Sequence, residues 1–216
     1  MATTPPKLSL SHGLTIGYRS PLARSESAIE LGKGTHFLLA RNGRGKTTLL
    51  RTVARSLHPL DGQVLSEGTM QYLPENLSFD NELSARSIFH SMIPKARRQA
   101  ALDLAQTIEL DLDKNYGQLS TGNRRKVSLI VAEFSIDPEK PHILLLDEPF
   151  SGLDAYAREQ FERIWAESDQ NTLRLVSCHP DYDSMPMPSA ILIENGHLTH
   201  TEGNMQTWRS LKSRLN

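Results

Sequence analysis

Residues Ala40 to Thr47 read ARNGRGKT. They fit the pattern G-x-x-x-x-G-K-[ST] at every fixed position but the first, where Ala40 stands in place of glycine. A loop of this kind wraps phosphate oxygens with successive backbone N–H groups and with the start of the helix that follows. Gly43 and Gly45 allow the backbone to come close and to adopt uncommon dihedrals. Lys46 would reach the β- and γ-phosphates, and the Thr47 hydroxyl would ligate Mg²⁺. Asn42, Arg44 and Thr48 complete the candidate nucleotide-contacting stretch. The alternative is a glycine-rich, basic surface loop.

A second set of reactive residues lies in HILLLDEPFSGLD, His142 to Asp154. A continuous apolar run delivers Asp147 and Glu148 together to a strand end, where α/β sheets place their ligands. Asp147 can hold Mg²⁺ through water, and Glu148 can take the proton of an attacking water. Two adjacent carboxylates beside a metal and a triphosphate suit nucleotide hydrolysis. A strand followed by an acidic helix cap is the plainer reading of the same residues.

The surrounding pattern must supply the elements that hold these groups. Lys7 to Ile16 reads as an edge strand and Arg19 to Ser27 as a polar loop. Ala28 to Leu31 and Thr35 to Ala40 read as strands, the second buried. The run KTTLLRTVARSL reads as a helix ending before His58-Pro59. Residues 60–73 read as turn, strand, turn, strand. From 81 to 136 the spacing of apolar residues becomes helical. A helix is expected from about Asn123 to Phe134, after the polar turn QLSTGN. Ile143 to Leu146 is a strand and Ala155 to Glu167 a helix. Thr172 to Ser177 and Ala190 to Ile193 are further strands, with a hairpin turn at Asn195-Gly196. A short tail helix should bury Trp208. Strands alternating with helices at both ends imply an α/β core of mostly parallel strands, with a helical insertion and a small antiparallel side sheet.

Composition narrows the class. Lys plus Arg number 24 and Asp plus Glu 25, a formal charge of −1, which argues against a non-specific nucleic-acid binder. No nucleic acid is expected as a partner. No apolar run approaches the length of a membrane span, and the start MATTPPKLSLSHGL lacks a signal-peptide core. The single cysteine, Cys178, excludes an internal disulfide framework and reads as a small buried hydrophobe. The expectation is a cytoplasmic protein that meets a membrane only through a partner.

Taken in order from about Leu8 to Leu198, these motifs resemble the ATP-binding cassette family, a P-loop NTPase fold. The resemblance implies ATP and Mg²⁺ as cofactors and a head-to-tail pair of cassettes around two ATP molecules. Leu119-Ser120-Thr121-Gly122-Asn123 resembles the family's signature sequence. It implies that Ser120 and the Gly122 N–H contact the γ-phosphate held by the opposite subunit, with Thr121 between them in the nucleotide-binding set. Ser151 to Asp154 resembles the loop that crosses the dimer interface, with Asp154 near the partner's phosphate loop. His179 resembles the switch histidine, Tyr18 the ring that stacks on adenine, and Glu75 the glutamine that senses Mg²⁺ and the attacking water. The implied catalytic set is Glu148, His179, Lys46 and Glu75, and the implied metal set Thr47, Asp147 and Glu75. The chain departs from the pattern at Ala40, Arg44, Glu75, Thr121 and Asn123.

One cassette domain over 1–216 is implied. Its ATP-binding core and N-terminal β subdomain would occupy 1–76 and 139–216, and its helical signature subdomain 77–138. The function implied is the ATP-hydrolysing subunit of a membrane transporter, with compact size leaning toward an exporter. It would work peripherally, on the cytoplasmic face of the membrane, on separate transmembrane permease subunits. Two alternatives stand beside it: a soluble cassette ATPase acting in cofactor assembly or macromolecular remodelling, and a non-catalytic regulatory homologue.

Overall fold

The computed structural model describes residues 4–167, 171–178 and 185–215. Four strands form the inner part of the main sheet: β5 (Gly34–Ala40), β8 (His142–Leu146), β9 (Thr172–Ser177) and β10 (Ser189–Glu194). Each is largely buried on both faces, and each carries apolar residues through its middle, β9 with Arg174 among them. With β2 (Thr15–Gly17), β3 (Pro21–Ser25), β7 (Thr69–Leu73) and β11 (His197–Glu202), the sheet order is β2-β3-β11-β10-β5-β9-β8-β7. All neighbours are parallel except β10–β11 and β2–β3. The parallel run means that β5, β7, β8 and β9 all end at one edge of the sheet.

The period-two alternation of strands separates two cores. Leu38, Ala40, Ile143, Leu145, Leu173 and Leu175 pack with α1 (Lys46–Val53) and with a small side sheet. That sheet has the order β4-β1-β6, built from β1 (Lys7–Leu10), β4 (Ile29–Leu31) and β6 (Val64–Glu67), and is antiparallel. Phe37, Leu39, Leu144, Leu146 and Val176 face the other way. They meet α4 (Thr121–Phe134), α5 (Ala155–Glu167) and α6 (Trp208–Lys212). The same cluster takes in α2 (Ala85–Met92) and α3 (Arg98–Thr107), inserted between β7 and β8. Trp208 is buried, as its position in the tail predicts.

Three expectations are corrected. Lys7 to Ile16 is not one edge strand: it breaks at the Ser11–Gly13 turn, and β1 is the middle strand of the side sheet. Arg19 to Ser27 is not a loop, since β3 lies within it and pairs with both β2 and β11. Its PLARS sequence carries no strand signal, so long-range pairing decides its conformation. The helix after the phosphate loop is also shorter than expected. It closes at Ala54, and Arg55 takes a left-handed φ of 58°.

A buried ion pair ties α4 to β9. The Arg174 guanidinium donates to both oxygens of Glu133, at 3.3 and 2.5 Å, and the Trp165 indole N–H donates to the same carboxylate at 3.1 Å. Arg174 is wholly buried and Glu133 nearly so. Glu133→Ala withdraws this carboxylate from the buried cation, and the expected loss of stability is about 3–5 kcal/mol. Urea denaturation measures it. An unchanged midpoint would show that the pair does not hold α4 on the sheet.

Candidate nucleotide site

The site is assembled at the common edge where β5, β7, β8 and β9 end. Beyond β5 the chain turns through residues 41–45, with the Arg44 N–H donating to the Arg41 carbonyl at 3.2 Å, and enters α1. Gly43 has φ 74° and Gly45 φ 109°, both in the left-handed region that favours glycine. Gly45 caps α1 with no side-chain hydrogen bond, and the first turn carries no acidic residue. The free N–H groups of that turn are thus the donors of an anion cradle. A cavity of about 490 Å³ lies over it, lined by Asn42, Gly43, Gly45, Lys46, Thr47, Thr48, Glu75, Glu148 and Ser151.

Lys46 is buried, and its ammonium donates to the Ala40 carbonyl at 3.4 Å and pairs with Glu148 Oε1 at 3.1 Å. The two strongest sequence motifs therefore meet in one ion pair. Glu148 takes a left-handed φ of 48°, uncommon for a residue with a Cβ and characteristic of functional turns. Ser177 holds that turn: its Oγ accepts the Glu148 N–H at 2.7 Å and donates to Asp147 Oδ1 at 2.8 Å. The Tyr72 hydroxyl donates to Asp147 Oδ2 at 3.2 Å. Burial first, and then the neighbouring Asp147 charge, push the Tyr72 pKa up to about 12.

Other candidates fall outside the cavity. Tyr18 is exposed, and its hydroxyl accepts from the Arg51 guanidinium of α1 at 3.0 Å. Arg44 lines a neighbouring crevice with Arg41 and the Glu194–Gly196 turn. Thr121 lines another beside Glu75 and Ser151. Ser120 caps α4 by accepting the Asn123 N–H at 3.2 Å. Gly122 lies against the loop before α5, where a Cβ would sit 2.5 Å from the Gly152 carbonyl oxygen. Asp154 is engaged within its own chain. It caps α5 through the Ala157 N–H at 2.7 Å and pairs with Lys126 at 2.8 Å. Lys126 first, and then the Ala157 N–H, hold its pKa below the usual carboxylate value. His179 lies outside the described residues.

Sequence reasoning missed Ser177, Tyr72 and Arg125. Arg125, on α4, is buried and donates to the carbonyls of Pro74, Glu75, Pro149 and Asp147. One guanidinium thus gathers the loops after β7 and β8 onto α4, while burial lowers its pKa. The available signal was a polar residue closing an apolar strand, for Ser177, and a charge on the inward side of a helix, for Arg125. Neither names its partner. Cys178 is buried as expected, and desolvation pushes its thiol pKa up.

The residues fit a magnesium nucleotide. The cradle offers N–H donors and an ammonium to phosphates, and Thr47 offers an oxygen of the kind that Mg²⁺ prefers beside phosphate oxygens. Asp147 carries two more, though it is buried and does not itself line the cavity. The arrangement is that of a P-loop NTPase fold. The family model described as ABC transporter matches residues 27–151, and the chain belongs to that family.

The ABC transporter ATP-binding protein YtrB of Bacillus subtilis is 28% identical over 191 residues, covering 80% of this chain and 64% of that protein. An uncharacterized ABC transporter ATP-binding protein of Methanocaldococcus jannaschii is 34% identical over 161 residues, covering 69% and 58%. The chain therefore spans less than two thirds of the length of these two relatives. Among solved structures, an ATP-binding subunit of an ABC transporter aligns with a TM-score of 0.73 at 19% identity, covering 96% of this chain and 98% of that one. At that identity the likeness is one of fold. Among the described residues, no helix is long and apolar enough to cross a membrane.

Proposed function

We propose that this chain binds Mg·ATP at the edge of its main sheet and hydrolyses it as the motor subunit of a membrane transporter. The observation that carries the reading is the meeting of Lys46 and Glu148 over the α1 cradle, 3.1 Å apart. Bound phosphates attract Lys46 and draw it from Glu148, which leaves that carboxylate able to accept a proton from water. Mg²⁺, when bound, neutralises charge developing on the phosphates. Thr47 and Asp147 would hold it, with Glu75 at the cavity rim. Lys46 orients the β- and γ-phosphates, and Tyr18 offers a face for the adenine. His179 would contact the γ-phosphate.

Ser120, Thr121 and Gly122 do not line the cavity that holds Lys46. This supports their service to a second copy of the chain, with ATP between the two. Closure and reopening of that pair would drive separate transmembrane permease subunits from the cytoplasmic face. Export is the direction that compactness favours. Relatives named as zinc or sulfate/thiosulfate import proteins have the same kind of subunit, so the membrane partner sets the direction.

Shared sites predict complementation. Lys46→Ala and Ser120→Arg are each expected to be inactive. Mixed, they form a dimer in which one site joins an intact phosphate loop to an intact signature, and ATPase activity should return in part. Purification of the tagged chain from membranes tests the wider reading: a polytopic membrane protein should come with it. Full recovery in the soluble fraction, without one, would favour the soluble assembly ATPase instead.

A further inference from the structure

Both oxygens of Asp147 are held by hydroxyl donors. An ionised carboxylate only accepts, so the single hydroxyl proton of Tyr72 goes to Asp147 Oδ2 at 3.2 Å. Ser177 is in the same position on the other side. Its oxygen accepts the Glu148 N–H, and its single proton goes to Asp147 Oδ1. Each carboxylate oxygen thus takes one hydroxyl donor, and rotation of the carboxylate would break both bonds. Asp147 is 1% exposed, so bulk water cannot replace either donor without rearrangement.

We infer that Tyr72 is a positioning residue for metal binding: with Ser177 on the other oxygen, its hydroxyl fixes the plane of the Asp147 carboxylate that would hold Mg²⁺. The inference rests on the proposed Mg·ATP site and adds to it a residue of β7. A carboxylate held in one plane presents its remaining lone pairs in one direction. Freed on one side, it samples other orientations and holds the metal less well.

The test is Tyr72→Phe, which keeps the half-buried ring and removes only the hydroxyl. ATP affinity is measured by calorimetry in EDTA and then at stepped Mg²⁺ concentrations, with thermal melting to confirm the fold. Affinity in EDTA should match the parent. The Mg²⁺ concentration that gives half of the metal-dependent gain should rise about tenfold, the size expected for losing a partner of a metal ligand. A purely structural role would shift melting and leave the metal requirement alone. A folded Tyr72→Phe protein with the parent's Mg²⁺ requirement overturns the inference. Asp147→Asn in the same titration separates this from failure of the site itself. If Asp147→Asn loses the metal-dependent gain while Tyr72→Phe does not, only the role of Tyr72 is wrong. If Asp147→Asn also keeps it, Asp147 faces no metal and the reading beneath falls too.

Discussion

Lys46→Ala is expected to weaken ATP binding by a factor on the order of 10²–10³, the effect of deleting one preorganised donor to a charged oxygen in a water-poor site. Lys46 is buried, and its ammonium meets the Ala40 carbonyl and the Glu148 carboxylate. The turn between β5 and α1 sets its backbone, and the two contacts hold its ammonium. The substitution has a second consequence, since Glu148 loses its cation in a nearly buried place. A fall in stability of about 3 kcal/mol is the scale for breaking such a pair. The double variant Lys46→Ala/Glu148→Gln separates the two effects. It should recover much of the stability, because no charge is left unpaired, and none of the nucleotide affinity. Calorimetry and urea denaturation read the two quantities independently. Unchanged affinity in folded Lys46→Ala would remove the phosphate site from this end of α1.

Glu148→Gln should leave ATP binding intact and lower turnover by about 10²–10⁴, the range for loss of a general base. The amide has the size of the carboxylate, and its oxygen can still accept from Lys46. The turn is held through the Glu148 N–H by Ser177, so the side-chain change leaves the left-handed backbone supported. With hydrolysis stopped, the ATP-bound pair should accumulate and appear as a dimer on size-exclusion chromatography. Steady-state phosphate release checks the rate. Equal turnover in variant and parent would place the base elsewhere.

Much of the architecture is legible because local chemistry agrees with it. The buried strands at Thr35–Ala40 and Ile143–Leu146 are apolar runs that the structure extends by one residue each, and the strand expected at Thr172–Ser177 has those bounds. The helix at Ala155–Glu167 and the hairpin at Asn195-Gly196, with φ of 49° and 81°, agree with their sequence signals. By contrast, β3 is polar and gains its conformation from partners distant in sequence. The same holds for β1, whose central place depends on β4 and β6 reaching it from either side.

By itself the sequence determined the chemistry available: glycine at the two left-handed loop positions, a lysine to open the helix, and paired carboxylates after an apolar strand. These are properties of residue type and short spacing, which covalent geometry carries into any fold that forms. The tertiary structure alone decided who holds whom. Strand order places β9 beside both β5 and β8, so Ser177 reaches Asp147 and Glu148. β7 flanks β8, so Tyr72 reaches the other oxygen of Asp147. The packing of α4 brings Arg125 to four carbonyls from two separate loops. Hydrogen bonds are set within a few tenths of an ångström, whereas spacing along a chain leaves the distance between remote residues open until strands pair and both cores close.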